Sequence, residues 1–115
     1  MTAEELSNVI VKGMEGKKAS DIVVMDLREV KNSVSDFFVI CSGNSDTQVE
    51  AISTSIEEEV IKYNKERPWK SEGRSNCQWI LIDYVSVVAH VFLKDKREFY
   101  ALEELWGDAK VTTID

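Results

Sequence analysis

The sequence predicts one mixed α/β domain, a β-sheet flanked by helices in the order α-β-β-α-β-β-α, spanning residues 1–115. Its core covers about residues 3–107, and residues 108–115 form a C-terminal tail or weak edge strand. Three observations predict this class. Two stretches repeat apolar residues at helical spacing behind a capping pair, four short apolar runs lack that spacing, and glycine, proline or polar clusters punctuate the junctions. With 115 residues, 43% hydrophobic and 30% charged, and only one proline, the composition is that of a compact ordered chain.

Thr2 and Glu5 have the spacing of a capping box, and Leu6, Val9, Ile10 and Met14 then recur on one helical face. Gly13 and Gly16 are suited to ending that helix. Ile22 to Leu27 reads as a short buried strand, and a polar turn follows around Lys31 to Ser35. Phe37 to Cys41 is a second apolar run, close enough to the first to pair with it antiparallel. Ser45 and Gln48 form another capping pair, ahead of Val49, Ile52, Ile56, Val60 and Tyr63 on one face of a long helix closed by Pro68.

Trp79 to Tyr84 and Val87 to Phe92 read as two strands joined by a turn at Val85-Ser86, apolar on both sides of the pleat and central in the sheet. Arg97 to Trp106 reads as a short helix with Phe99, Leu102 and Trp106 facing the core, stopped by Gly107. Three helices do not obviously cover both faces of such a sheet. Apolar surface is thereby left for a partner.

Charge narrows the partner. A net charge of −7 and a pI near 4.7 argue against a broad phosphate-binding surface, because nucleic-acid affinity rests on lysine and arginine. A basic protein is the better electrostatic match. The apolar stretches Ile80 to Ile82 and Val87 to Ala89 are far shorter than the ~20 residues of a membrane span. Glu4 and Glu5 stand where a secretory signal needs positive charge, so the expected location is the cytoplasm or an organelle matrix. Cys41 and Cys77 lack CxxC spacing and read as buried thiols, and His90 alone adds a nitrogen ligand, so no metal or cofactor is assigned.

Ser35-Asp36-Phe37-Phe38-Val39-Ile40-Cys41-Ser42-Gly43-Asn44-Ser45, followed by Gln48-Val49, resembles the signature of the Iojap family of ribosomal silencing factors. Glu72-Gly73, Trp79 to Tyr84, Val87 to Phe92 and Arg97 to Trp106 resemble that family's C-terminal half, so the likeness runs from about Leu6 to Trp106. Many ordered segments at matching spacings make it specific, where one alone is weak. The resemblance implies a nucleotidyltransferase-like α/β core, a homodimer when unbound, and docking onto large-subunit ribosomal protein fourteen at the intersubunit face. Blocking the small subunit in this way needs no chemistry. Relatives in chloroplasts and mitochondria imply an alternative role in large-subunit assembly.

The enzymatic alternative is nucleotidyl transfer, since Gly43-Asn44-Ser45 stands between a strand and a helix, where that fold places its phosphate loop. The carboxylate pair that would hold magnesium is missing: Asp83 is followed at that spacing by Val85. Asp26, Asp36 and Asp83 read first as turn or cap partners, Ser42 and Ser45 as turn and cap residues, and no catalytic residue is assigned. His90 sits in an apolar strand, where packing predicts a neutral imidazole with a hydrogen-bond partner; with Asp83 it is assigned a supporting role beside the docking surface. Trp79 at the entry of its strand and Tyr84 at its exit lie nearer the sheet rim than Leu81 or Ile82. Together with Lys94, Arg97 and Tyr100 they are the expected partner contacts.

Overall fold

The computed structural model describes residues 1–30, 33, 35–96 and 109–114. Their main elements are α1 (Ala3–Gly16), β1 (Ser20–Asp26), β2 (Phe37–Gly43), α2 (Asp46–Asn64), β3 (Lys70–Glu72), β4 (Trp79–Asp83), β5 (Val87–Leu93) and β6 (Lys110–Ile114), and residues 94–96 are also helical. All six strands join one sheet in the order β3-β4-β5-β2-β1-β6. β1 and β2 pair antiparallel, as their proximity in sequence suggests, whereas β2 and β5 run parallel because α2 carries the chain across between them. The sheet is therefore mixed, as expected. One strand goes beyond the sequence reading, β3 on one edge, while β6 on the other edge is the edge-strand alternative expected of the tail.

Both helices start as their capping pairs predict. Thr2 Oγ1 accepts from Glu5 N–H at 3.1 Å, and Ser45 Oγ accepts from Gln48 N–H at 3.2 Å. α2 ends at Lys65, whose left-handed backbone (φ 52°) lets its N–H reach Ile61 O, three residues before Pro68. Gly13 does not end α1; it lies inside the helix, where an added Cβ would sit 2.7 Å from Ile56 Cα. Its role is close approach, and Ser55 Oγ bonding Gly13 O at 2.8 Å locks the crossing of α1 on α2.

That helix pair covers one face of the sheet. Leu6, Ile10 and Met14 of α1 and Val49, Ile52, Ile56 and Val60 of α2 pack on Phe37, Val39 and Cys41 of β2, Val87, Ala89 and Val91 of β5, and Ile80 and Ile82 of β4. Tyr63 ends this stripe outside the core, 47% exposed, with its hydroxyl bonded to Lys12. A second cluster, Val23, Met25, Leu27, Ile40 and Phe92, lies on the opposite face, with Phe38 and Trp79 against it. Cys41 and Cys77 are both buried, as expected, and burial pushes the Cys77 thiol above its usual range. The expected helix at Arg97 to Trp106, and part of the turn at Lys31 to Ser35, lie outside the described residues.

Candidate functional site

β4 departs from the sequence reading in one respect that positions the site. It is not apolar and buried on both sides: Ile80 and Ile82 are buried under the helices, while Trp79, Leu81 and Asp83 alternate with them and are each only half-buried. Lys70 of β3 pairs with Asp83 and Glu72 with Leu81 in the ladder, so the strip is bordered by a Lys70–Glu72 ion pair of 3.3 Å. On its other side stand Val88, His90 and Phe92 of β5, paired with Asp83, Leu81 and Trp79. Sequence reasoning passed over Leu81, Phe38 and the β3 pair; alternation along β4 was the available signal for Leu81.

Trp79 is held firmly for a half-buried residue. Its ring stacks on Phe92 with centroids 5.2 Å apart and planes 22° apart, and its Nε1–H donates to His90 Nδ1 at 3.0 Å. His90 is 3% exposed, with the Phe38 ring meeting it edge-on at 4.8 Å. The expected buried imidazole with a hydrogen-bond partner is thus what the strand contains. Burial holds its pKa down to about 3, so it is neutral at physiological pH. Since Nδ1 accepts, the proton resides on Nε2, which has no hydrogen-bond partner among the described residues. An orphaned buried donor of this kind costs about 1–3 kcal/mol.

The other expected contacts are distributed unevenly. Lys94 is exposed and directly follows Leu93, whose N–H bonds Gln78 O at 2.9 Å, so it stands at the Trp79 end of the strip. Tyr84 does not stand at the rim. It is 4% exposed within the helix-side cluster, five residues from Trp79, and an odd separation sends two strand side chains to opposite faces. Burial, then the nearby Glu57 and Glu66, push its phenol above the ordinary range. Asp83 Oδ1 accepts from Val85 N–H at 2.7 Å, which holds the β4–β5 turn. Arg97 and Tyr100 lie outside the described residues.

Several of the groups considered for catalysis are engaged otherwise. At the loop before α2, Asn44 N–H donates to Gln48 Oε1 at 2.6 Å and Gln48 N–H to Ser45 Oγ, so the chain itself uses donors that a phosphate would need. Gln48 Nε2 ties the same loop to Lys17 O and Lys18 O. Asp26 is held by a bidentate pair with Arg28, which keeps its carboxyl below the ordinary range. His90 Nδ1 is taken by Trp79, leaving it no lone pair to act as a base toward Ser42 or Ser45. Among the described residues, no three His, Cys, Asp or Glu side chains gather as a metal site.

Fold and site together define a small mixed α/β domain with α1 and α2 on one sheet face and, among the described residues, an aromatic, half-buried strip on the other. The chain belongs to the family described as "Ribosomal silencing factor during starvation", whose profile matches residues 1–115. It is 38% identical over 115 residues to "Ribosomal silencing factor RsfS" of Bacillus subtilis (strain 168), covering 100% of this chain and 96% of that protein. A crystal structure of a Chromobacterium violaceum protein superposes with a TM-score of 0.87 at 30% identity, covering 93% of this chain and 88% of the other. More distant relatives are "Protein Iojap, chloroplastic" of Zea mays, 34% identical, and "Mitochondrial assembly of ribosomal large subunit protein 1" of Mus musculus, 30% identical. This chain covers 87% and 86% of itself against them, but only 42% and 44% of their lengths.

Proposed function

We propose that this chain is a ribosomal silencing factor that binds the large ribosomal subunit through ribosomal protein fourteen and sterically blocks joining of the small subunit, repressing translation. Full-length membership of a family so described carries the reading. The strip on β4 supports it: a half-buried Trp79 with Leu81 beside it is the kind of aromatic and aliphatic anchor that dominates interface energetics. An acidic chain of net charge −7 is matched to a basic ribosomal protein and repelled by bare RNA. No bond is made or broken in this mechanism, so the domain is not an enzyme; it acts by occupying a face.

The docking surface is assigned to Trp79 and Lys94, with Arg97 and Tyr100 as the further contacts that the family resemblance implies and with His90 and Asp83 behind them. Unbound, the chain is proposed to be a cytoplasmic homodimer. A second reading, large-subunit assembly, is favoured by the name of the mouse relative and uses the same surface on maturing particles.

Trp79→Ala should weaken binding to isolated large subunits by at least about tenfold, equivalent to ~1.4 kcal/mol, while the protein stays folded at assay temperature. Tyr84→Ala is the internal contrast, because truncating a buried aromatic lowers stability by ~3 kcal/mol or more. Sedimentation binding with parallel melting curves checks both. Parent-like binding by folded Trp79→Ala would move the docking surface off β4.

A further inference from the structure

We infer that His90 is a positioning residue for docking: its Nδ1 fixes the Trp79 indole in the orientation that the partner meets. The inference rests on the proposed docking role of Trp79. The observation behind it is an imbalance. His90 is buried, and its Nε2–H has no acceptor among the described residues, so the imidazole sits in the core at a cost to stability. Phe38 and Phe92 on either side show that an apolar ring suits this pocket. What a phenyl ring there would lack is the acceptor at Nδ1, 3.0 Å from Trp79 Nε1.

The geometry shows what that acceptor achieves. Stacking on Phe92 tolerates in-plane rotation of the indole, so the stack does not by itself set the direction of Nε1–H. A hydrogen bond to a fixed ring sets that direction. His90 is such a ring, pinned by Phe38 edge-on at 4.8 Å and by its place in β5, which is hydrogen-bonded to β2 and β4. A preorganised aromatic loses less entropy when a partner closes on it, so the benefit appears in affinity and not in folding. Sites that break a packing rule without a folding benefit are where function is expected.

The test is a binding cycle on purified large subunits with Trp79→Ala, His90→Phe and the double variant, alongside melting curves at pH 7. His90→Phe should melt no lower than the parent yet bind about tenfold more weakly, and the double variant should bind no more weakly than Trp79→Ala alone. His90→Asn, which returns an acceptor near the Nδ1 position, should recover most of the lost affinity. The Trp79 indole N–H, assigned by comparison with Trp79→Phe, should be protected from exchange in the parent and in His90→Asn, and exposed in His90→Phe. If His90→Phe does not fold, His90→Leu takes its place in the cycle. Parent-like binding by the apolar variant, or losses that add in the double variant, overturns the inference while leaving the docking role of Trp79 standing. Parent-like binding by Trp79→Ala overturns both.

Discussion

Acidification should weaken the parent protein progressively below pH 6.5, and His90→Phe should be spared that component. His90 is neutral in both states above the ordinary imidazole value of 6.5, and burial lowers its folded value to about 3. Between those limits the unfolded chain takes up a proton that the folded chain refuses. Stability contributed by the neutral imidazole is therefore present above pH 6.5 and lost as pH falls towards the folded value, with a limiting slope of about 1.4 kcal/mol per pH unit. Carboxylates such as Asp26, whose folded value is also depressed, add their own losses at lower pH. The difference between parent and variant isolates the histidine. Chemical denaturation at steps from pH 7.5 to 4 should show His90→Phe gaining on the parent below pH 6.5; a difference independent of pH would mean that the folded imidazole titrates normally.

Gly73→Ala is expected to be among the most damaging single-methyl changes in the chain. Gly73 has φ +93°, and a Cβ there would lie 2.0 Å from Trp79 O, against backbone that cannot yield like a side chain. Gly73 O also accepts from Cys77 N–H at 3.0 Å, so this residue folds the 73–78 loop back onto the start of β4. The expected cost is about 3 kcal/mol, near 10 °C in melting temperature, with disturbance spreading to Trp79. Gly16→Ala is the control. Its Cβ would meet only Ser55 Oγ at 3.5 Å, so better helix propensity should leave stability unchanged or slightly raised. Equal melting temperatures for Gly73→Ala and the parent would contradict the geometry of this loop.

These two predictions mark where the sequence was legible and where it was not. Thr2 with Glu5, and Ser45 with Gln48, announce both helix starts because capping is local chemistry that needs no tertiary context. β1, β2, β4 and β5 are likewise visible as apolar runs. β3 is not, since Lys70-Ser71-Glu72 is short, polar and exposed, and becomes a strand only because β4 offers it an edge. Gly13 reads as a stop signal, but a sequence does not show which second helix will press on it.

At the site, Glu72-Gly73 was recognisable as part of a family pattern, while the reason for its glycine lies in the approach to Trp79 O. Trp79 and Tyr84 stand at the two ends of the same predicted strand, so the sequence alone groups them. Counting the pleat separates them: the odd interval puts Trp79 beside His90 and Tyr84 under the helices. The Trp79–His90 bond joins residues eleven apart, in a register that only the paired β4 and β5 reveal.

The most direct measurement is subunit joining. Purified protein is added to separated large and small subunits under conditions that favour association, and the yield of joined ribosomes is read by gradient sedimentation. Steric silencing predicts that the yield falls with increasing protein, that the protein travels with the large subunit, and that Trp79→Ala requires about tenfold more protein for the same effect. An unchanged yield while the protein saturates the large subunit would contradict silencing.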